Sequence, residues 1–428
     1  MSSAASPLGA RRTDSSIYDV AVIGLGYVGL PTALAFHAAG LRVLGVDRDP
    51  GRLEAIRAGR VDLLDSDHRR LGAARDGLAV TADPADAARA DALIICVPTP
   101  VNRHLVPDLG ALTEACATAA AHARAGQTIV LTSTSYVGST RELLVRPLAA
   151  RGLRIGTDVF VAFSPERIDP GNDRHPHEEV PRVVGGVTPR CAARAMALLG
   201  RYAGDLHRVS SAEAAEMTKL LENTFRAVNI ALVNEFADAS RLLELDVMEV
   251  IEAAATKPYG FMPFFPGPGA GGHCIPCDPH YLLWQLKRDR LHTPLVSAAM
   301  NAIAMRPGQV VERARQVLSD HGRGLAGADV LVLGVAYKPD VEDLRESPAL
   351  EIIDGLLAAG AAVRYHDPRV PELVTEGGTK LASAEPGPAD LVIAHTPHQG
   401  LDLDWLREDQ LLLDATYRFS GPARRVAL

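Results

Sequence analysis

The sequence predicts an α/β protein built from two doubly wound Rossmann-like domains joined by a long central helix. Three observations carry that reading. From Ile17 short apolar runs alternate with helical stretches, the pattern of a parallel sheet covered on both faces. Near residue 210 the alternation gives way to "SAEAAEMTKLLENTFRAVNIALVNEFADASRLLEL", 35 residues without Gly or Pro and with apolar residues at helical spacing. After "NAIAMRP" the strand rhythm returns, and 428 residues are too many for one hydrophobic core.

Taken in order, residues 1–16 ("MSSAASPLGARRTDSS") hold an Arg pair with no apolar segment behind it, which predicts a disordered tail rather than a signal peptide. Residues 17–209 form the first domain, with strands expected in "YDVAVIGLG", "LRVLGVD", "DALIICVP", "QTIVLTSTS" and "DVFVAFSPE". Residues 210–315 form the helical segment, and 316–428 the last domain, with strands in "ADVLVLGVAY", "AAVRYHDP", "ADLVIAHTP" and "QLLLDATY". A net charge of -8 argues against nucleic acid or an anionic membrane surface as partner. No apolar run approaches the ~20 residues of a bilayer-spanning helix. Five cysteines do not make a disulfide framework in a chain of this length, so a reducing cytoplasm is expected.

"VIGLGYVG" spaces Gly24, Gly26 and Gly29 as G-x-G-x-x-G, with Leu25, Tyr27 and Val28 between them, directly after a strand and at the mouth of a helix. Such glycines let the backbone turn and approach a pyrophosphate seated on the helix N-terminus. A Gly-rich turn alone is a weak signal, but Asp47 ends the next strand where a ribose-binding acid belongs. A carboxylate there accepts from both ribose hydroxyls and repels a 2′-phosphate, so the expected cofactor is NAD. Arg48 and Arg52 lie close by and soften that preference. Further strand ends offer Val97, Pro98 and Thr99 of "CVPTPV", Ser133 and Thr134 of "TSTS", and Glu166 and Arg167 of "SPERIDPGN". A polar surface loop is the plainer explanation of each. Glu166 rises above it because its position points a carboxylate at the cofactor crevice.

On the long helix Lys219 and Asn223 stand four apart and share a face, where an ammonium and a carboxamide can hold a developing oxyanion. A solvated polar stripe is the alternative. "GGHCIPCDPH" gathers His273, Cys274, Cys277 and His280 and admits a metal site, a redox dithiol or a single catalytic thiol. No second C-x-x-C or H-x-x-x-H pair completes a zinc set, and a Gly-rich loop rather than a strand precedes the thiols. Gly267, Gly269, Gly271 and Gly272 are read as a flexible loop that wraps a ligand and delivers Cys274 beside it. A nucleophilic thiol near a nicotinamide is the reading these residues favour.

"GLGYVGLP", "VPTP", "SPER", "MTKLLENTFRAVNIALVNE", "PGPGAGGHCIPCDPHYL" and "GVAYKPDVEDLRESPA", in this order, resemble the UDP-glucose/GDP-mannose dehydrogenase family of nucleotide-sugar 6-dehydrogenases. The resemblance runs from about Tyr18 to the C-terminus. It implies an NAD domain, a central helix through which two copies form a homodimer, and a C-terminal domain that binds the nucleotide diphosphate. It also implies a two-step oxidation of a sugar C6 alcohol to a carboxylate with two NAD+. Cys274 then matches the thiol that captures the aldehyde, Glu166 the acid/base carboxylate, Lys219 and Asn223 the oxyanion pair, and Asp278 with Thr134 a water-positioning pair. Lys338 of "AYKPD" matches a substrate-loop lysine beside Tyr337, Arg345 of "DLRES" an arginine reaching toward the cofactor, and Arg418 a phosphate-facing arginine. Arg167, Phe265 and the loop glycines 267, 269, 271 and 272 fall among the substrate contacts. "GGHCIPxDPxYL" is similar to the branch that oxidises UDP-N-acetylhexosamines, with UDP-glucose or dTDP-glucose as alternatives. Cys277 departs from the family pattern, and "TKPYGFMPFF" lacks the arginine that glucose enzymes lend across the dimer, leaving Lys257 as the nearest cation. A β-hydroxyacid dehydrogenase would need neither the thiol nor the last domain. An NAD-binding protein regulated by the dithiol is a non-enzymatic rival.

Overall fold

The computed structural model describes residues 17–61, 63, 65–74, 77–167, 178–272 and 274–428. The segment expected as a tail, residues 1–16, lies outside them, as do His273 and the part of "SPERIDPGN" beyond Arg167. The chain divides into two compact units, Met1–Lys219 and Leu220–Leu428.

The first unit holds β1 (Tyr18–Ile23), β2 (Val43–Val46), β3 (Leu78–Thr81), β4 (Ala90–Ile95), β5 (Thr128–Leu131), β6 (Phe160–Phe163), β7 (Arg182–Gly186) and β8 (Leu206–Val209). They form one sheet in the order β3-β2-β1-β4-β5-β6-β7-β8. Successive side chains of a strand face opposite ways. In β1, Val20 and Val22 join one apolar cluster, while Ala21 and Ile23 join another. The sheet is therefore buried on both faces, as predicted. The sheet is parallel except where β7 runs antiparallel to β6, with Ala162 opposite Gly186. The expected runs account for β1, β2, β4, β5 and β6. They miss β3 and β8, which are four residues long and partly solvated, and β7, whose "RVVGG" ends in glycines.

The long helix is present as Ala212–Leu242, and the division between the units falls within it. Helices Val247–Ala255, Asp278–Lys287 and Pro294–Asp320 follow. The last continues well past Pro307, and the strand rhythm resumes after it. Proline gives up a helical N–H and crowds the carbonyl four residues back. Here Ile303, Pro307 and Val310 are all buried, so packing holds the helix together.

The second sheet is made of β9 (Asp329–Leu333), β10 (Ala362–His366), β13 (Leu391–Ala394), β14 (Leu411–Asp414) and β15 (Arg424–Ala427), with a separate hairpin of β11 (Glu372–Val374) and β12 (Lys380–Ala382). Its order, β10-β9-β13-β14-β15, is the other common doubly wound arrangement. Val330 and Val332 pack on one face, Leu331 and Leu333 on the other. Ligands of such sheets lie outside the carboxyl ends of the strands where the order reverses. That point is between β1 and β4 in the first sheet and between β9 and β13 in the second. Among the described residues, no helix is long and apolar enough to cross a membrane.

Candidate active site

At the reversal point of the first sheet, Gly24 leaves β1 with φ +89°, a left-handed turn that favours glycine. A Cβ on Gly24 would lie 2.4 Å from the Cys96 carbonyl oxygen, and one on Gly29 1.7 Å from that of Gly24. The chain's own packing therefore demands those two glycines. Gly26 differs, since a Cβ there would meet nothing within 4 Å. The bare backbone over Gly26 leaves the space a pyrophosphate needs.

Asp47 ends β2 with its carboxylate already oriented: Oδ2 accepts from the Leu25 N–H at 2.7 Å and Oδ1 from the Asp49 N–H at 3.0 Å. Each oxygen keeps a lone pair for a ribose hydroxyl. Arg52 donates from Nε to the Leu25 carbonyl at 2.9 Å, while its Nη2 is buried without a partner among the described residues. An orphaned donor beside an oriented acid and an open glycine turn fits a dinucleotide. Arg48 instead pairs with Glu114 at the surface. The Ser133 hydroxyl accepts from the Val97 N–H at 2.9 Å and donates to the Val97 carbonyl at 2.8 Å, so it locks the loops after β4 and β5 together. Thr99 is buried, Pro98 exposed and Thr134 half-buried at the end of β5.

Glu166 follows β6 and is 8% exposed. Its Oε2 accepts from Arg182 Nη1 at 3.0 Å, and its Oε1 from the Arg167 N–H at 2.7 Å. Arg167 donates in turn to the Pro181 carbonyl. The Arg182 guanidinium is buried and lies 5.7 Å from the Tyr202 ring. A buried carboxylate needs such a counter-charge. Sequence reasoning missed Arg182, because nothing in "VPRVV" marks an ion-pair partner sixteen residues away. The neighbouring Cys96 is no rival nucleophile, since burial pushes its thiol up to about 12.

One turn before Lys219, Glu216 is buried at the start of the long helix. It accepts from the Gly138 and Thr140 N–H groups and from the Ser139 and Thr140 hydroxyls. Burial raises its pKa, while those hydrogen bonds work to lower it. Lys219 is 7% exposed, and Asn223, one turn on, is 9% exposed. A solvated polar stripe is thus excluded. Asn223 Nδ2 donates to Asp278 Oδ2, tying the helix to the residue after Cys277.

In the second unit the glycine loop is clamped rather than flexible, which corrects the expectation. The Gly272 N–H donates to the Arg345 carbonyl at 3.0 Å. A Cβ on Gly272 would lie 2.8 Å from the Tyr337 ring, and one on Gly271 2.7 Å from the Glu346 carbonyl oxygen. Gly269 packs on Pro348, while Gly267 donates its N–H to Asn234 and accepts at its carbonyl from Arg306. Past the loop, Cys274 is exposed and Cys277 buried, and the helix Asp278–Lys287 begins immediately after. Arg306, 1% exposed, also grips Asp238 with Nη1 at 2.8 Å and donates to the Tyr417 hydroxyl at 2.9 Å. Arg418, which follows Tyr417 in the chain, stacks 3.9 Å over the Phe265 ring. Arg345 holds Asp343 through two nitrogens, Lys338 is half-buried, and Lys257 is exposed beside the Tyr259 ring. Arg306 carried no sequence signal, since its partners lie on distant elements.

A glycine turn with an oriented acid beside it in the first unit, and an exposed thiol in the second, are the features expected of an NAD-dependent dehydrogenase. Comparison with known proteins agrees. The NAD binding, central and UDP binding domains of one family match residues 18–202, 213–302 and 331–419 respectively. The chain belongs to the UDP-glucose/GDP-mannose dehydrogenase family. It is 33% identical over 410 residues to the UDP-N-acetyl-D-glucosamine 6-dehydrogenase of Pseudomonas aeruginosa, covering 93% of this chain and 96% of that protein. The solved UDP-D-ManNAc dehydrogenase of Pyrococcus horikoshii superposes with a TM-score of 0.86 at 31% identity, covering 95% of this chain and 98% of that one. The UDP-glucose dehydrogenase of Pyrobaculum islandicum gives 0.82 at 26% identity, covering 97% and 98%.

Proposed function

We propose that the chain oxidises the C6 hydroxyl of a UDP-N-acetylhexosamine to the uronate through a Cys274 thioester, with two NAD+ consumed per turnover. One observation carries the reading: of the two thiols in "GGHCIPCDPH", only Cys274 is open to a substrate. The relatives named for UDP-N-acetylhexosamines support the sugar class.

NAD+ supplies the hydride acceptor when bound; the chain's own residues do the rest. Asn223 spends one amide N–H on Asp278 and keeps the other, which with the Lys219 ammonium holds the C6 oxygen as charge develops. Once the alcohol is an aldehyde, the Cys274 thiolate adds to C6 and the carbonyl pair moves onto oxygen. Loss of the second hydride returns that pair and leaves the thioester. Glu166, held by Arg182, takes a proton from the attacking water, and the thiolate departs to release the carboxylate. Lys338 and Arg418 supply cations for the diphosphate, and Asp278 with Thr134 orients the water.

The partner we assign to the long helix is a second copy. Met217, Leu221, Phe225, Leu232 and Phe236 recur at helical spacing and are between 44% and 65% exposed, an apolar stripe that a homodimer would cover. A reducing cytoplasm suits five free thiols.

The test incubates the enzyme and NAD+ with UDP-N-acetylglucosamine, UDP-N-acetylmannosamine, UDP-glucose and dTDP-glucose, and counts NADH per sugar consumed. Two NADH and a uronate are expected, with the acid lost in Cys274→Ala and retained in Cys277→Ala. One NADH per sugar, or an active Cys274→Ala, refutes the thioester route. A higher kcat/KM for either glucose compound moves the substrate and leaves the chemistry standing.

A further inference from the structure

The reversal point of the second sheet is walled by two loops, residues 334–340 after β9 and 395–399 after β13. They touch closely: a Cβ on Gly334 (φ +73°) would fall 1.8 Å from the Thr396 carbonyl oxygen. The second of them carries His398, 5% exposed, with both ring nitrogens engaged. Nε2 lies 2.9 Å from Asp367 Oδ1, and the Asp340 N–H donates to Nδ1 at 2.8 Å. An N–H pointed at Nδ1 requires a lone pair there, which leaves Nε2 as the ring N–H that faces Asp367. The ring therefore reads as a two-ended strut. One end rests on Asp367, which also accepts from the Val335, Arg369 and Val370 N–H groups. The other end holds Asp340, a non-glycine residue in the left-handed region with φ +66°. That conformation is costly and persists only where its surroundings enforce it. The Asp340 carboxylate completes the clasp by accepting from the Gln399 N–H at 3.1 Å.

We propose that His398 is a positioning residue for nucleotide-sugar binding, acting through its Nδ1 on the loop that carries Tyr337 and Lys338. The loop cannot shift alone. Tyr337 donates its N–H to the Asp343 carbonyl and lies in contact with Gly271 and Gly272, three and two residues before the thiol. Holding Asp340 thus sets the place of the Lys338 cation and of the wall on which the Cys274 loop is cast. This rests on the reading that Lys338 serves the nucleotide diphosphate.

The two ends of the strut can be cut separately. His398→Gln places an amide N–H near the Nε2 position and keeps the Asp367 contact, but loses the acceptor for Asp340. His398→Asn places an amide oxygen near Nδ1 and keeps Asp340, but loses Asp367. UDP, and dTDP in parallel, are titrated calorimetrically into the full chain, with NAD+ as a second titrant and thermal unfolding recorded for each variant. His398→Gln is expected to weaken diphosphate binding about tenfold, the effect of leaving a buried donor unsatisfied, with NAD+ affinity unchanged. His398→Asn is expected to bind the diphosphate as the wild type does while melting lower. Lys338→Ala separates this inference from the reading beneath it. If Lys338→Ala weakens binding and His398→Gln does not, the strut is overturned alone. If Lys338→Ala has no effect, or the wild type binds neither diphosphate, the loop assignment falls and the strut with it. Equal losses in both His398 variants, tracking their melting temperatures, would leave His398 a structural residue only and refute the proposal.

Discussion

Replacing Gly272 by Ala should disable the enzyme without unfolding it. Gly272 has φ +80°, and a Cβ there would lie 2.8, 3.1 and 3.3 Å from three atoms of the Tyr337 ring. The left-handed backbone costs an alanine ~1–2 kcal/mol, and the overlap with the ring adds ~1–3 kcal/mol. Tyr337 cannot retreat freely, because its N–H is bonded to the Asp343 carbonyl at 3.0 Å. The strained segment is a loop outside the sheet core, so moving it is cheaper than unfolding the unit. The alanine should push the loop off Tyr337 and carry Cys274 with it. A displacement near 1 Å at a reacting atom costs about 10²-fold, and that is the expected fall in kcat/KM. Gly322→Ala is the control, since it has φ +73° and nothing within 4 Å of its Cβ, so it carries the backbone strain alone. The assay joins NADH formation, thermal unfolding and the rate of Cys274 alkylation by iodoacetamide. Gly322→Ala should lose stability and keep turnover, whereas Gly272→Ala should lose turnover and alter alkylation. Unchanged kcat/KM in Gly272→Ala would refute the clamp.

Two further outcomes are expected. Lys219→Ala should lower kcat by roughly 10²–10³-fold with little change in KM, because an oxyanion donor acts in the transition state; a rise in KM alone in steady-state kinetics would make Lys219 a ground-state clamp instead. His395, fully buried, has its pKa lowered from 6.5 to about 4, chiefly by burial. The unfolded chain takes that proton first as pH falls, so the stability gained from keeping His395 neutral is complete above 6.5 and is lost between 6.5 and about 4. The loss is on the order of 3 kcal/mol, and denaturant titrations across that window should show a flatter profile for His395→Gln than for the wild type. Parallel profiles would place the group in water.

Much of the fold was legible because its signals are local. A strand such as β4 announces itself as an apolar run bounded by turn residues, and Ala212–Leu242 by a long stretch without Gly or Pro. The dinucleotide turn was legible for the same reason, as two of its glycines are forced by contacts within a few residues or with the adjacent strand. The illegible parts depend on side chains meeting across the fold. Arg182 in "PRVV" looks like any strand arginine until β7 brings it to Glu166. His398 looks like a loop histidine until β10 and β13 set Asp367 against it. The clamped glycines read as flexible because their neighbours, Tyr337, Glu346 and Pro348, lie far along the chain. Strands β3 and β8 failed for a different reason, since "LAVT" and "LHRV", four residues each and partly exposed, carry too short a signal.

The charges follow one logic. An acidic chain that binds a diphosphate must leave some cations unneutralised, yet it cannot bury a cation without a partner. The buried arginines are compensated: Arg182 by Glu166 and Arg306 by Asp238. Those two are structural charges, because a carboxylate already answers them. Arg418 is treated otherwise, since its guanidinium rests on the Phe265 ring. An aromatic face orients a cation without cancelling its charge. Arg306 and Arg418 therefore stand as a pair of opposites, one at the hydroxyl of Tyr417 and the other next to it along the backbone. The first is neutralised and fixes Tyr417 in its left-handed turn at φ +62°. The second, Arg418, follows Tyr417 directly in the chain and rests on the ring with its charge uncancelled by that contact.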